Sequence, residues 1–239
     1  SIQLTEEGVL LRKRAEDLVR MADKITEEFH TLDDLSGGEI FLGLAESYQI
    51  RRIAAVIRTL KNIYPDLRYH ITSGDTEQVT EKLNKGIIDF AVLAQEPDTS
   101  RYHSLKFPES DLWGVVMPAS CPMAQKETIR MEDLIGLPLF CSEQGWHNDI
   151  TKWCNNRIDQ LHLEGSFRLS YNGSLFVKEG LGYLLTFEHI INTSPDSGLV
   201  FRPLAPRLET NIYLIWKKYQ VFTPISERFL EMLKLNFDS

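Results

Sequence analysis

The chain has 239 residues, 43% hydrophobic and 25% charged, with a formal net charge of −8. That balance argues against a general nucleic-acid or anionic-membrane surface, and residues 1–35, with five Lys/Arg against nine Asp/Glu, are no basic arm either. No apolar run approaches the ~20 residues of a membrane span, and the N-terminus lacks a basic-then-apolar leader.

The first element is a helix. Thr5 followed by Glu6 and Glu7 makes a hydroxyl cap and an acidic first turn. The spacing predicts a helix running to about residue 34, stopped by Ser36-Gly37-Gly38. Leu11, Ala15, Leu18, Ala22, Ile25, Phe29 and Leu32 recur in steps of four and three, the seam of a helix meeting another helix. The other face is charged throughout. A dimer seam is the expectation.

Strand–helix alternation follows. "EIFLGL" (39–44) reads as a buried strand, 48–64 as an amphipathic helix, "LRYHIT" (67–72) as a strand, 77–85 as a helix and "IIDFAVL" (87–93) as a strand. Such alternation predicts βαβ units and a parallel sheet covered on both faces. After a loop come "LWGVVM" (112–117), a short helix start and strand over 131–141, and a helix at 148–157. "GSFRLSY" (165–171) reads as a strand, Asn172-Gly173-Ser174 as a turn, "LFVKEGLG" as a helix and "YLLTF" (183–187) as a strand. The remainder gives "LVFRPL" (199–204), "TNIYLIW" (210–216) and a helix over 224–235. Two α/β units of about 80 residues each, with the chain crossing near 113–118 and 200–204, account for this order.

Three turns stand between strand and helix: Glu46-Ser47, Asp75-Thr76 and Asn172-Gly173-Ser174. Such turns line the ligand crevice of open α/β sheets, and they also cap helices wherever helices start; both roles remain open for Ser47, Thr76 and Ser174. Catalytic patterns are poor. His103, His147, His162 and His189 show no HExxH or triad-like spacing, and no Walker or GxGxxG motif occurs. Cys121, Cys141 and Cys154 lack CxxC or Cys/His metal spacing, so free thiols in a reducing cytoplasm, with no metal and no cofactor, are expected.

The order of parts resembles the LysR-type transcriptional regulators. "LTEEGVLLRKRAEDLV" looks like the end of their winged helix-turn-helix running into a linker helix. "GGEIFLGLAES", "PDLRYHITSGDTEQVTEKLNKGIIDFAVL", "DLWGVVMPASCPMA" and "VKEGLGYLL" resemble, in order, the regulatory module that follows. The resemblance implies two Rossmann-like subdomains joined by two crossover strands, of periplasmic-binding-protein type II-like architecture, after a long helix. The expected division is a linker helix over 1–36 with the helix-turn-helix ending at 1–8, subdomain I over 38–115 and 204–239, and subdomain II over 116–203. It implies a small-molecule effector between the subdomains, a homodimer with a tetramer open to the full-length form, and promoter DNA bound only through a helix-turn-helix domain missing here. The chain, lacking an initiator Met, reads as a fragment. Carried onto this sequence, the implied ligand positions are Glu46, Ser47, Tyr48, Thr76, Ser142, Glu143, Gln144, Asn172, Gly173 and Ser174. Glu46 is a departure, a carboxylate where an anionic effector would be repelled. A transporter's solute-binding protein is a rival reading, but it predicts an export signal and no heptad helix. An enzyme on the same scaffold would need an acid–base or nucleophile set.

Overall fold

The computed structural model describes residues 4–31 and 37–237, and the side chains among them except those of residues 27–31. Helix α1 (Glu6–Thr31) starts where the cap predicts: Thr5 Oγ1 accepts from Gly8 N at 3.1 Å, and Glu6 and Glu7 fill the first turn. Its 26 residues extend about 39 Å. The expected stop at Ser36 and the seam residue Leu32 lie outside the described residues, as does the Phe29 side chain. Gly37 and Gly38 do not act as a stop; they open strand β1 (Gly37–Leu44). Gly38 has φ +132°, and a Cβ there would meet Ile225 Cγ2 at 2.8 Å, so a side chain is excluded twice over.

The first lobe continues with α2 (Ile50–Ile63), β2 (Asp66–Ser73), α3 (Thr76–Asn84), β3 (Phe90–Leu93) and β4 (Tyr102–Lys106). The chain then enters the second lobe through β5 (Asp111–Pro118), followed by α4 (Met131–Leu134), β6 (Pro138–Ser142), α5 (Glu143–Gly145) and α6 (Thr151–Trp153). Next come β7 (His162–Phe167), α7 (Ser170–Lys178), β8 (Tyr183–Phe187), β9 (Leu199–Pro203) and β10 (Glu209–Thr210). It returns through β11 (Tyr213–Lys217) and closes with α8 (Pro224–Phe237).

The two sheets are mixed rather than parallel. In the first, ordered β2-β1-β3-β11-β4, the strands β2, β1 and β3 are parallel while β11 runs antiparallel to β3 and β4. In the second, ordered β10-β5-β8-β6-β7, β6 pairs parallel with β7 and β8, whereas β5 runs antiparallel to β8, β9 and β10. The strands that carry the chain between lobes reach each sheet from the far side, which reverses them. Strand β4 is absent from the predicted elements; only Tyr102 of its five residues is buried, too weak a pattern to read from sequence. A second correction concerns Asn172-Gly173-Ser174, which form no turn but lie inside α7. Gly173 is packed so closely that a Cβ would meet Leu184 and Phe167 at 3.0 Å, and packing overrides the turn preference of these residue types.

Strand β3 shows why both faces of the first sheet are covered. Phe90 and Val92 join the core under α2 and α8 with Ile53, Leu60, Phe229 and Leu233. Ala91 and Leu93 point the other way, to Val79 and Leu83 of α3. The period of two splits one apolar run between two cores.

Helix α1 lies on this lobe by its charged face, not by its seam. Lys13 faces Glu81 at 3.7 Å, Lys85 reaches Asp17 at 2.6 Å, and the Met21 methyl lies beside Gly86. Lys24 Nζ donates to Asp89 Oδ1 at 2.5 Å and to Gly86 O at 3.2 Å, and sits 5.0 Å over the Phe41 ring. Asp89 Oδ2 accepts from Phe41 N at 2.9 Å, which anchors the pair to β1. Both charged side chains are almost fully buried, at 7% and 8% exposed. The seam faces away from the lobe: Leu11 is 70% and Leu18 71% exposed, and Ile25 is exposed as well.

Candidate functional site

A cavity of about 670 Å³ lies between the lobes, within the size range of small-molecule sites. It opens beyond the carboxyl ends of the parallel strands, where turns and helix starts converge. From the first lobe come Glu46 after β1, Gly74–Glu77 before and in α3, and Ala94 and Gln95 after β3. From the second come Ser142–Gly145, His147 and Asp149 after β6, then Ser166–Arg168 and Ser170 at the end of β7. Trp113 of β5 and Leu185–Phe187 of β8 form the floor, with the Trp113 and Phe187 rings edge to face at 4.5 Å.

The lobes bond to one another across this cleft. Ser170 N, at the start of α7, donates to Glu46 Oε2 at 2.7 Å. Thr76 N, at the start of α3, donates to Gln144 Oε1 at 3.3 Å, and Gln144 Nε2 reaches Ala94 O at 3.5 Å. Arg168 Nε stands 3.6 Å from Asp75 Oδ2. Each lobe thus supplies an acceptor to a helix N-terminus or a cation of the other.

The helix starts are otherwise capped from within. Asp75 accepts from Gln78 N at 2.9 Å in a reciprocal capping box, and Ser142 Oγ accepts from Gly145 N at 3.2 Å. Thr76, part of the cavity wall, holds its Oγ1 buried with no hydrogen-bond partner among the described residues.

A second polar system runs behind the floor, along the crossover strands. Trp113 Nε1 donates to Thr210 Oγ1 at 2.8 Å, and Thr210 Oγ1 donates to Asp149 Oδ1 at 2.6 Å. Burial pushes the Asp149 carboxyl above the usual aspartate range, against the pull of Thr210, Lys152 and Trp113. Asp111, the register partner of Thr210, accepts from Gln49 Nε2 at 3.2 Å and is likewise raised, chiefly by burial.

Of the ten positions expected from sequence, Glu46, Thr76, Ser142, Glu143 and Gln144 line the cavity and the other five do not. Ser47 is buried and its Oγ accepts from Gln49 N at 3.0 Å, the work of a helix-entry turn. The Tyr48 ring lies tilted against His189 with centroids 4.5 Å apart. Asn172 is exposed, Gly173 packs on Leu184, and Ser174 is buried with its hydroxyl donating to Tyr171 O. Trp113, Asp149, Phe167, Arg168 and Ser170 were not anticipated. For Ser170 a signal existed: Leu-Ser after an alternating strand is a plausible helix entry two residues before Asn172.

Two mixed sheets, a chain that crosses between them twice and a cavity at the crossing define a two-lobed module of the type II periplasmic-binding-like class. The LysR substrate binding domain matches residues 33–238, and the chain belongs to that family.

Its relatives are transcriptional regulators. The regulator YtlI of Bacillus subtilis is 25% identical over 217 residues, which cover 85% of this chain and 66% of that protein. A probable RuBisCO transcriptional regulator of Synechocystis is 26% identical over 138 residues, covering 56% of this chain and 40% of its own length. The chain therefore spans less than two thirds of either relative. Among solved structures, the LysR-family regulator CbnR superposes with a TM-score of 0.77 at 16% identity, over 100% of this chain and 83% of its own. The effector-binding domain of QuiR, in complex with shikimate, gives 0.71 at 17% identity over 85% of this chain and 98% of its own.

Proposed function

We propose that this chain is the regulatory, effector-binding part of a LysR-type transcriptional regulator, taking a small molecule into the cleft between its lobes. The carrying observation is the cavity itself, walled by both lobes and bridged at Glu46–Ser170 and Thr76–Gln144. A ligand there competes for or adds to those bridges, so it binds two lobe arrangements with different affinity, which is what regulation requires. The contact set is Glu46, Thr76, Ser142, Glu143 and Gln144, joined by Trp113 and Asp149; the other positions expected from sequence support the wall from behind. The division into a helix over 1–36, subdomain I (38–115 and 204–239) and subdomain II (116–203) describes the moving parts.

The exposed seam of α1 packs against the same helix of a second copy, in the manner of a coiled coil. DNA contact belongs to a helix-turn-helix domain outside these residues, in keeping with YtlI, an HTH-type regulator, and with CbnR, solved with its target DNA. The module works in the cytoplasm and carries out no catalysis. Among the described residues no helix is long and apolar enough to cross a membrane.

A thermal-shift screen of metabolites tests the cleft: a hit lost in Thr76→Ala and Gln144→Ala supports it, and a hit indifferent to both moves the site elsewhere. Solution mass tests the seam. Leu11→Lys with Leu18→Lys should turn a dimer into a monomer, and a monomeric parent would refute it.

A further inference from the structure

We propose that the effector carries a positively charged nitrogen, an amine or guanidinium, and that the cleft rejects anionic metabolites. This rests on the cleft being the effector site and names the chemistry it selects. Five carboxylates line the cavity, Glu46, Asp75, Glu77, Glu143 and Asp149, while Arg168, the one guanidinium among the described lining residues, already stands against Asp75 at 3.6 Å.

Several of the donors that would hold an anion are taken. An anion in an α/β cleft normally binds at helix N-termini. Here the start of α7 gives Ser170 N to Glu46, and the start of α3 gives Thr76 N to Gln144 and Gln78 N to Asp75. Gly145 N is held by Ser142. A carboxylate or phosphate entering this space meets like charge and must break an existing bond to reach the N–H groups of Thr76, Gln78, Gly145 or Ser170. It gains little.

A cation finds the reverse. Asp149 is held in place by Thr210 Oγ1 on a crossover strand, so its position is fixed before any ligand arrives. Its carboxylate is partly desolvated, which makes an arriving ammonium a stronger partner than it would be in water. Trp113 and Phe187 form an aromatic floor beside it, and a cation over an aromatic face is favoured. Glu143 is exposed and also lines the cavity, its Oε1 accepting from Ser166 Oγ at 3.1 Å.

The test is calorimetric titration of the intact chain with matched probes: 1,4-diaminobutane and agmatine as cations, butanedioate and 2-hydroxybenzoate as anions. Three variants are compared. Asp149→Asn removes the fixed charge, Arg168→Ala removes the cavity's guanidinium, and Ser166→Trp fills the cavity from an exposed strand position. At least one cation should bind, lose about tenfold or more in affinity in Asp149→Asn, keep or gain affinity in Arg168→Ala, and lose binding in Ser166→Trp. Neither anion should bind. Each variant must first show the parent's circular dichroism spectrum and melting midpoint without probe.

An anion that binds the parent and is excluded by Ser166→Trp overturns the charge selection and leaves the cleft as the effector site. A cation whose affinity Ser166→Trp does not change overturns the cleft reading, because it then binds the acidic surface at large. No binding by either cation at about 10 mM overturns the proposal, since so weak an interaction shifts no equilibrium usefully.

Discussion

Replacing Lys24 by Met should release α1 from the first lobe while leaving the lobe folded. The side chain keeps its length and loses its charge, which strands Asp89 in a site where both partners are less than a tenth exposed. Removing one member of a buried pair typically costs about 3–5 kcal/mol. Asp89 keeps the bond from Phe41 N, which argues for the lower end, about 3 kcal/mol. That is roughly a 150-fold rise in the undocked population. The loss falls on docking rather than on global unfolding, because lifting α1 away returns Asp89 to water. Lys13→Met is the internal control: its contact with Glu81 is 3.7 Å long with both side chains about half exposed or more, worth at most about 1 kcal/mol. Native-state amide hydrogen exchange over residues 13–26 reads the difference directly. Lys24→Met should accelerate exchange there with little change in β1 and β3, and Lys24→Met with Asp89→Asn should recover part of the protection. Equal exchange in the two single variants would refute the idea that this buried pair, rather than the helix as a whole, holds α1 down.

Three further outcomes follow from the geometry. Gly114→Ala would place a Cβ 2.2 Å from Phe201 and 2.5 Å from Arg202 O, a backbone atom that cannot move aside, so it should destabilise by about 2–3 kcal/mol in urea titration; a loss under about 0.5 kcal/mol would show that β5 and β9 are less tightly apposed. Burial raises the Asp111 carboxyl, so the folded state binds its proton more tightly than the unfolded chain, and its cost grows as pH rises from the usual aspartate value through the folded one. Asp111→Asn should therefore match the parent in acid and gain on it across that window; a constant offset from about pH 3 to about pH 7 would contradict this. Cys141 and Cys154 are buried with thiols pushed up by burial, whereas Cys121 is half-buried beside Tyr183 Oη at 3.5 Å. A chromogenic disulfide should label one thiol quickly in the native chain and three in denaturant; fast labelling of Cys141 would contradict its burial.

The elements that sequence reveals are those whose burial is complete and regular. In β1 burial falls mostly on alternate residues, in α2 on every third or fourth, and β3 is apolar throughout because it faces a core on each side. Strand β4 escaped because it is an edge strand with its polar residues outward. The reversal of β5 and β11 escaped because strand direction depends on which lobe the chain has just left, and no local pattern records that. The site divides along the same line. Asp75 is legible because capping is a local matter, visible in the residue before a helix, whereas Ser142 is reached only through the family resemblance. Glu46, Gln144 and Arg168 meet partners 124, 68 and 93 positions away along the chain, and Asp149 is oriented from 61 positions away. Such pairings exist only once the lobes face each other. The charged face of α1 misled for a related reason: Asp17 and Lys24 look solvated on a helical wheel, and only the position of Lys85 and Asp89 shows them docked.

Helices α1 and α8 both rest on the first sheet, α1 through Asp89 and α8 through Phe229 and Leu233 against β1 and α2. The second lobe is therefore an insertion in the topological sense, a cassette whose ends both plug into one chassis. Such a cassette is open to transplantation: the second lobe of a related regulator, spliced at the crossover strands, would bring its own half of the cavity while meeting an unchanged frame. The Glu46–Ser170 and Arg168–Asp75 bridges set the compatibility rule for the graft, since the incoming half must present an N–H to Glu46 and a cation to Asp75. Ligand preference could then be exchanged by recombination between lobes, one wall at a time, without disturbing how α1 is held.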